Sequence, residues 1–200
     1  MNSPDSAFPE ATPTQPPTDA GPRLSRRLQD VPALAALAAD LLRTPNALAT
    51  LSDDDLRVVI NHMQLVSVPA GQVMMREGDS DNTGYLLLML AGEAKVQAND
   101  ATSGTSIDIS VMGPGNIIGE MGLLDGAPRS TTCTAISEVQ AAGLSRRALQ
   151  LMLERHPHVA ALLMVALAKR MADRLRALGD QLGIYAQLAQ DTQQDPRSRF

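Results

Sequence analysis

The apolar positions of this chain change period twice, and each change marks a different kind of element. Residues 24 to 44 repeat at helical spacing, with Leu34, Leu37, Ala38, Leu41 and Leu42 on one stripe. The pattern predicts a helix closed by Pro45-Asn46, because the residue before a proline is pushed out of the helical region. Ser52, followed by Asp53, Asp54 and Asp55, predicts the start of a second helix. Its hydroxyl can accept from a free backbone amide, and the acids complement the positive end of the dipole. Leu56, Val59, Ile60 and Met63 form that helix's apolar side. From 65 to 144 the period drops to two, in short runs separated by Gly, Pro and Asn. Ile107, Ile109 and Val111 alternate with polar neighbours as a half-buried strand does, and 99 to 104 reads as a hairpin loop. Helical spacing returns after Ser145, which caps a short helix ending near His156-Pro157. A long helix follows from 157 to 190. Within it Met164, Ala168, Met171, Leu175, Leu178, Leu182, Tyr185 and Ala189 recur at alternating spacings of four and three. That is a heptad seam, the pattern of a two-helix coiled coil. Gly179 and Gly183 weaken it, by roughly 1 kcal/mol each relative to alanine.

These elements predict a mainly β fold with flanking helices. Eight or so short strands, mostly without helix-length connections, point to an antiparallel double-stranded β-helix, or jelly roll. The expected organisation is a disordered leader (1–22), N-terminal helices (23–64), the roll (65–144), C-terminal helices (145–190) and a disordered tail (191–200). The leader is assigned because its Pro, Thr, Ser and Asp have almost nothing to bury.

Composition narrows the function classes. Aromatic residues are only 2% of the 200, so the core must come from Leu, Val, Ile, Ala and the ten methionines. The single cysteine, Cys133, excludes a disulfide framework and any all-cysteine metal site. The apolar run 86 to 90 is far too short to span a bilayer. With no signal-peptide pattern, the expectation is a soluble cytoplasmic protein without a membrane partner. A net charge of −5 argues against a general nucleic-acid-binding surface.

The chemistry concentrates in Gly119-Glu120-Met121-Gly122-Leu123-Leu124-Asp125-Gly126-Ala127-Pro128-Arg129-Ser130-Thr131-Thr132. A carboxylate and a guanidinium stand nine residues apart, across a short apolar turn and a Gly-Ala-Pro bend. Glu120 is an acceptor suited to sugar hydroxyls. Arg129 offers a planar fork suited to two phosphate oxygens. Ser130 adds a hydroxyl, and the small residues let backbone amides approach an anion. This segment resembles the phosphate-binding cassette of cyclic-nucleotide-binding domains, in the superfamily of the catabolite activator protein and the kinase regulatory subunits. Pro69-Ala70-Gly71-Gln72-Val73-Met74-Met75-Arg76-Glu77-Gly78-Asp79 is similar to that family's opening hairpin, and Ala91-Gly92-Glu93-Ala94-Lys95-Val96 to its next turn and strand. The likeness covers about residues 48 to 178 and supplies the topology of the roll. Thr131 stands where the family usually has a small apolar residue, Cys133 where it has an aliphatic one, and the turn Asp81-Asn82-Thr83-Gly84 is slightly long.

The resemblance implies a ligand site of Gly119, Glu120, Met121, Gly122, Arg129, Ser130 and Thr131. The cyclic phosphate would sit on Arg129, Ser130 and cassette amides, and the ribose 2′-hydroxyl on Glu120. It implies a cyclic nucleotide as ligand, cyclic AMP favoured over cyclic GMP and cyclic di-GMP, with no metal and no further cofactor. It also implies a homodimer through the long helix, which in the family borders the nucleotide's base. Only about ten polar residues follow Gln190, so the expectation is a stand-alone regulatory protein that signals to a protein partner and binds no DNA.

Other readings of the same residues stay open at this level. Glu120 and Arg129 can form a structural ion pair across a turn, and even beside a ligand site they are expected to pair when it is empty. A scaffold with a degenerate pocket is the alternative that Thr131 keeps available. An enzyme on a β roll needs histidines clustered on strands, whereas His62, His156 and His158 fall on predicted helices or their ends. Catalysis is therefore not expected. Tyr185 fits core packing better than base stacking, and Lys169, Arg170, Arg174 and Arg176 read as a solvated helix face. Cys133 reads as a small buried apolar residue.

Overall fold

The computed structural model describes residues 23–43, 51–99 and 105–194. The leader and the core of the 99–104 loop lie outside them. Nine strands form two sheets among these residues. The first holds β1 (Arg23–Arg27), β2 (Gln64–Val68), β9 (Val139–Ser145), β4 (Tyr85–Ala91) and β7 (Ile117–Ile118), in that spatial order. The second holds β3 (Val73–Met75), β8 (Thr132–Ala135), β5 (Ala94–Asn99) and β6 (Ser106–Met112). Every pairing is antiparallel. Helices α1 (Pro32–Leu42), α2 (Asp53–Asn61), α4 (Arg146–Arg155) and α5 (Pro157–Gln194) flank the roll, and the six-residue α3 (Glu120–Asp125) interrupts it. The mainly β jelly roll with flanking helices is thus the observed architecture. No described helix is long and apolar enough to cross a membrane.

The central strand β4 explains the layering. Its side chains alternate between two apolar clusters, as strand geometry requires. Leu86, Leu88 and Leu90 face the helices, joined by Leu56, Leu144, Met152 and Leu163. Leu87 and Met89 face the roll interior with Val66, Met75, Val96 and Ala141. One sheet therefore carries apolar residues on both faces, which is why 86 to 90 is an unbroken apolar run.

Three expectations are corrected. The helix placed over 24–44, within N-terminal helices beginning at 23, starts only at Pro32. Proline lacks the N–H and clashes with a preceding turn, so it is confined to the first turn, and Val31 before it is non-helical at φ −125°. Arg23–Arg27 instead pairs with β2 as an edge strand, and Leu28 turns inward, its amide donating to the Met63 carbonyl at 3.1 Å. Second, Ile107, Ile109 and Val111 are not half-buried but 54%, 43% and 59% exposed. β6 is the outer strand of its sheet, and its register with β5 shifts between Val96 and Gln97, so the alternation does not deliver one covered face. Third, α5 continues through both glycines to Gln194, into the segment assigned to the tail. The caps at Ser52 and Ser145 are present, each hydroxyl accepting an amide three residues on.

Candidate functional site

The chain turns out of β7 through Gly119, whose φ of 79° is left-handed. A Cβ there would lie 2.5 Å from Met75 Cε and 2.6 Å from Arg129 Nη1. Conformation and space both demand glycine. The turn places Glu120 at the start of α3, 8% exposed, with Gly122 and Leu123 buried behind it. Gly126, at φ 75°, ends the helix.

Arg129 returns beneath this helix. Its amide donates to the Asp79 carbonyl at 2.9 Å and its carbonyl accepts from Gly78 at 2.8 Å, clipping it to the loop after β3. Arg129 as a whole is 6% exposed. Nη1 donates to the Gly119 carbonyl at 3.0 Å, and Nη2 to the carbonyls of Asn82 at 2.9 Å and Tyr85 at 3.2 Å. Its Cζ stands 4.5 Å from the Tyr85 ring centre, a favourable cation–π placement. Burial pushes the Tyr85 phenol up, and the Arg129 charge opposes that shift.

The expected Arg129–Glu120 pair is absent. Arg129 approaches from the β4 side and is met by carbonyl dipoles, while Glu120 faces α5. There its Oε1 lies 3.6 Å from Arg174 Nη1. The cations of α5 are not one solvated face either. Lys169 and Arg176 share Asp173 on the surface, at 2.5 and 2.9 Å. Arg170, by contrast, reaches the carbonyls of Gly115 and Leu41 and ties the helix to the body.

Gly119, Glu120, Met121, Gly122, Arg129, Ser130 and Thr131 all line one cavity of about 350 Å3, within the roughly 300–1,000 Å3 typical of small-molecule sites. Met75, Val96, Met112 and Ile118 close it from the sheets, and Met171, Arg174, Leu175 and Leu178 from α5. Cys133 lines it as a buried thiol. Burial pushes that thiol up, opposed by a hydrogen bond from the Thr131 side chain. A larger space of about 900 Å3 lies on the other side of Arg129, between β3 and strands β2, β4 and β9. Only Arg129 and Met75 border both, and the larger one touches neither α3 nor α5. The smaller cavity is bordered by Glu120, Arg129 and Arg174 and is the candidate site.

Sequence reasoning missed two supports. Arg146, at the start of α4, donates from Nε to the Leu123 carbonyl at 3.0 Å and from Nη2 to the Gly122 carbonyl at 2.6 Å. It thereby gives a partner to the Leu123 carbonyl near the helix end and a second donor to the Gly122 carbonyl, which also accepts from the Gly126 amide at 3.1 Å. The turn 81–84 supplies the Asn82 carbonyl to Arg129, with Asn82 itself at a φ of 56°. The turn's unusual length and its asparagine, tolerant of left-handed φ, were the available signals. Tyr185's side chain lies outside the described residues. Among those residues no cluster of His, Cys, Asp or Glu is placed to hold a metal ion; His62 and His156 meet edge-on at 6.0 Å.

Comparison with known proteins places the fold in a family. Residues 65–156 match the model of the cyclic nucleotide-binding domain. The chain is 28% identical over 136 residues to the CRP-like cAMP-activated global transcriptional regulator of Mycobacterium tuberculosis, covering 68% of this chain and 56% of that protein. A solved cyclic nucleotide-binding domain from Methylobacillus flagellatus is 30% identical with a TM-score of 0.70, covering 74% of this chain and 82% of its own. The N-terminal domain of a transcriptional regulator from Streptomyces coelicolor A3(2) is 31% identical with a TM-score of 0.58, covering 68% and 94%. This chain belongs to the cyclic nucleotide-binding domain family, in the superfamily of the catabolite activator protein and the kinase regulatory subunits. It spans a little over half the length of the mycobacterial regulator.

Proposed function

We propose that this chain is a regulatory sensor of a cyclic mononucleotide, with cyclic AMP the favoured ligand, and that it signals through α5 to a protein partner. One observation carries the reading. Glu120 and Arg129, both nearly buried, border a cavity whose opposite wall is the long helix. Arg129 is met by backbone dipoles and Glu120 by the part-exposed Arg174, so neither neutralises the other, and a ligand with hydroxyls and a phosphate diester complements both. Arg129, Ser130 and the amides of 119–122 hold the phosphate, Glu120 accepts the ribose 2′-hydroxyl, and Met121 and Thr131 border the ligand. The mycobacterial relative is cAMP-activated by its printed name, which supports the choice of base. A ligand shifts α5 only by binding its two arrangements differently, and the Arg174–Glu120 contact provides such a difference.

Calorimetry of the full chain with cyclic AMP tests this. One saturable site per chain is expected, weakened at least about tenfold by Arg129→Lys, because an ammonium cannot reproduce the bidentate fork. A folded wild-type protein that binds no cyclic nucleotide would leave the degenerate scaffold as the better reading.

A further inference from the structure

We infer that Met121 is a site of reversible oxidation by hydroperoxides, and that its sulfoxide weakens the ligand's hold on the cavity. The inference rests on the cyclic-nucleotide reading of the site and follows from how the chain distributes its sulfur. Nine of the ten methionines lie among the described residues. Met63, Met74, Met75, Met89, Met112 and Met152 are buried, and Met164 and Met171 are partly buried. Met121 alone of the nine is exposed, at 49%. It lines the cavity from the first turn of α3, directly after Glu120. The methionine most open to water therefore belongs to the segment that borders the ligand.

Cys133 shares the cavity but competes poorly for an oxidant. A thiol reacts as its thiolate, and this one is buried, with burial pushing its pKa up. A thioether needs no deprotonation. Its sulfur attacks one oxygen of a hydroperoxide, and an S–O bond forms as the O–O bond breaks. The proton on the transferred oxygen passes to the leaving oxygen, which departs as water or an alcohol. Sulfur loses two electrons and the peroxide gains them. The product turns a flexible apolar side chain into a polar one. Its new oxygen accepts hydrogen bonds, so it offers nothing to phosphate oxygens, which accept as well. It also holds water that a ligand must displace, and a polar group that loses water without a partner is a penalty. Arg174 lines the same cavity and meets Glu120. An N–H that it turns to the sulfoxide is no longer available to Glu120 or to the ligand.

Timed exposure of the full chain to hydrogen peroxide tests the order of reaction, read by peptide mass spectrometry with fragmentation that separates Met121 from Met112. Met121 is expected to gain one oxygen before any other described methionine, and cyclic AMP at saturation is expected to slow that gain. Calorimetry of protein oxidised at Met121 alone is expected to show cyclic AMP weakened at least about fivefold, the effect of one polar group losing water unpaired. Its circular dichroism is expected to match that of untreated protein. The two methionine sulfoxide reductases, one for each epimer, are expected to restore the affinity, which separates sulfoxide formation from irreversible damage. Met121→Leu has an affinity of its own, and peroxide is expected to leave that affinity where it was. Another described methionine oxidised first, an affinity unmoved by oxidation at Met121, or a Met121→Leu variant that loses binding on the same treatment would overturn the inference while untreated protein still binds. Failure of untreated protein to bind cyclic AMP would overturn the cyclic-nucleotide reading along with it.

Discussion

Arg174 of the long helix and Glu120 of the cassette meet at 3.6 Å, joining the α5 wall of the cavity to the residue suited to a sugar hydroxyl. Glu120's side chain is 10% exposed and Arg174's is 40%, so the pair is half in water. Such a contact contributes less than about 1 kcal/mol, enough to bias a helix without fixing it. A hydroxyl that takes Glu120 competes with Arg174 for the same oxygen. Arg174→Gln is expected to leave global stability within about 1 kcal/mol of wild type and to speed amide exchange over 171–182 in the ligand-free protein. Unchanged exchange there would mean that the pair does not restrain α5.

Arg129 has two duties that one substitution cannot separate. Arg129→Ala takes a donor from the carbonyls of Asn82, Tyr85 and Gly119, the last of which keeps the Leu123 amide at 3.2 Å, at a cost of roughly 1–3 kcal/mol, and it removes the phosphate fork. Arg129→Lys retains the charge and one or two of those bonds. Denaturant titration is expected to show Arg129→Lys recovering most of the stability lost in Arg129→Ala, while calorimetry shows little recovery of binding. Parallel recovery of both would deny the guanidinium a specific role with the ligand.

Arg146 touches no part of the cavity, yet it holds the C-terminal end of α3 through two carbonyls. Replacing it with methionine keeps the stem and removes the donors, leaving the Leu123 carbonyl to find water and the Gly122 carbonyl with the Gly126 amide alone. A loss of about 1–3 kcal/mol is expected, with faster amide exchange concentrated in 119–126. A uniform loss of protection across the roll would show that Arg146 supports the fold at large rather than the cassette.

What the sequence revealed divides along a physical line. Ser52, Ser145, Gly119 and Gly126 act locally, and their letters carry the local rule: a hydroxyl before a helix, a glycine where φ turns positive. The buried run in β4 was visible for the same reason. Arg23–Arg27 was not, because its strand character comes from the free edge of β2, some forty residues away. The partners of Arg129 escaped notice because they are backbone carbonyls, and no side-chain letter announces where a carbonyl points. Pro32 is a different case. Its meaning was legible, and the apolar stripe beginning at Leu34 concealed it.

The second helix offers a pH test whose sign is fixed by geometry. The Ser52 hydroxyl donates to Asp55 Oδ2 at 2.6 Å and the Ser52 amide donates to it at 2.9 Å, while the Asp55 amide donates back to the hydroxyl at 3.2 Å. These bonds, the hydroxyl's first, hold the Asp55 carboxyl below its ordinary value. A depressed carboxylate contributes stability above the unfolded pKa, near 3.9, and loses it as pH falls through the lower folded value. Ser52→Ala is expected to cost about 1 kcal/mol at neutral pH, by thermal denaturation. The gap between the two proteins is expected to narrow as pH drops below about 4. A gap that is constant down to pH 3 would assign the cost to the hydroxyl's bond with the Asp55 amide alone.

The exposed side of α5 argues for a second copy of the chain. Leu175, Leu178, Leu182 and Ile184 are 69%, 40%, 68% and 57% exposed, all within ten residues of one helix. The proximal seam is covered from within, since Met164 packs on the cluster formed by α1, α2 and the first sheet. The distal seam has no such cover in the described chain. Leu175, Leu178 and Leu182, at heptad spacing on a free helix, match what a parallel partner helix covers. Leu182 is the position to test, because it lies on the seam but outside the cavity, whereas Leu175 and Leu178 line both. Leu182→Asp would set two carboxylates against each other in an apolar seam, at a cost of several kcal/mol. Sedimentation is expected to show a wild-type dimer and a monomeric variant with the circular dichroism of an intact roll. Because Leu178 belongs to both seam and cavity, the dimer is also expected to tighten cyclic-nucleotide binding, and Leu182→Asp to weaken it without abolishing it. A wild type that stays monomeric at high concentration would reject the dimer and leave α5 a helix whose apolar side waits for a different protein.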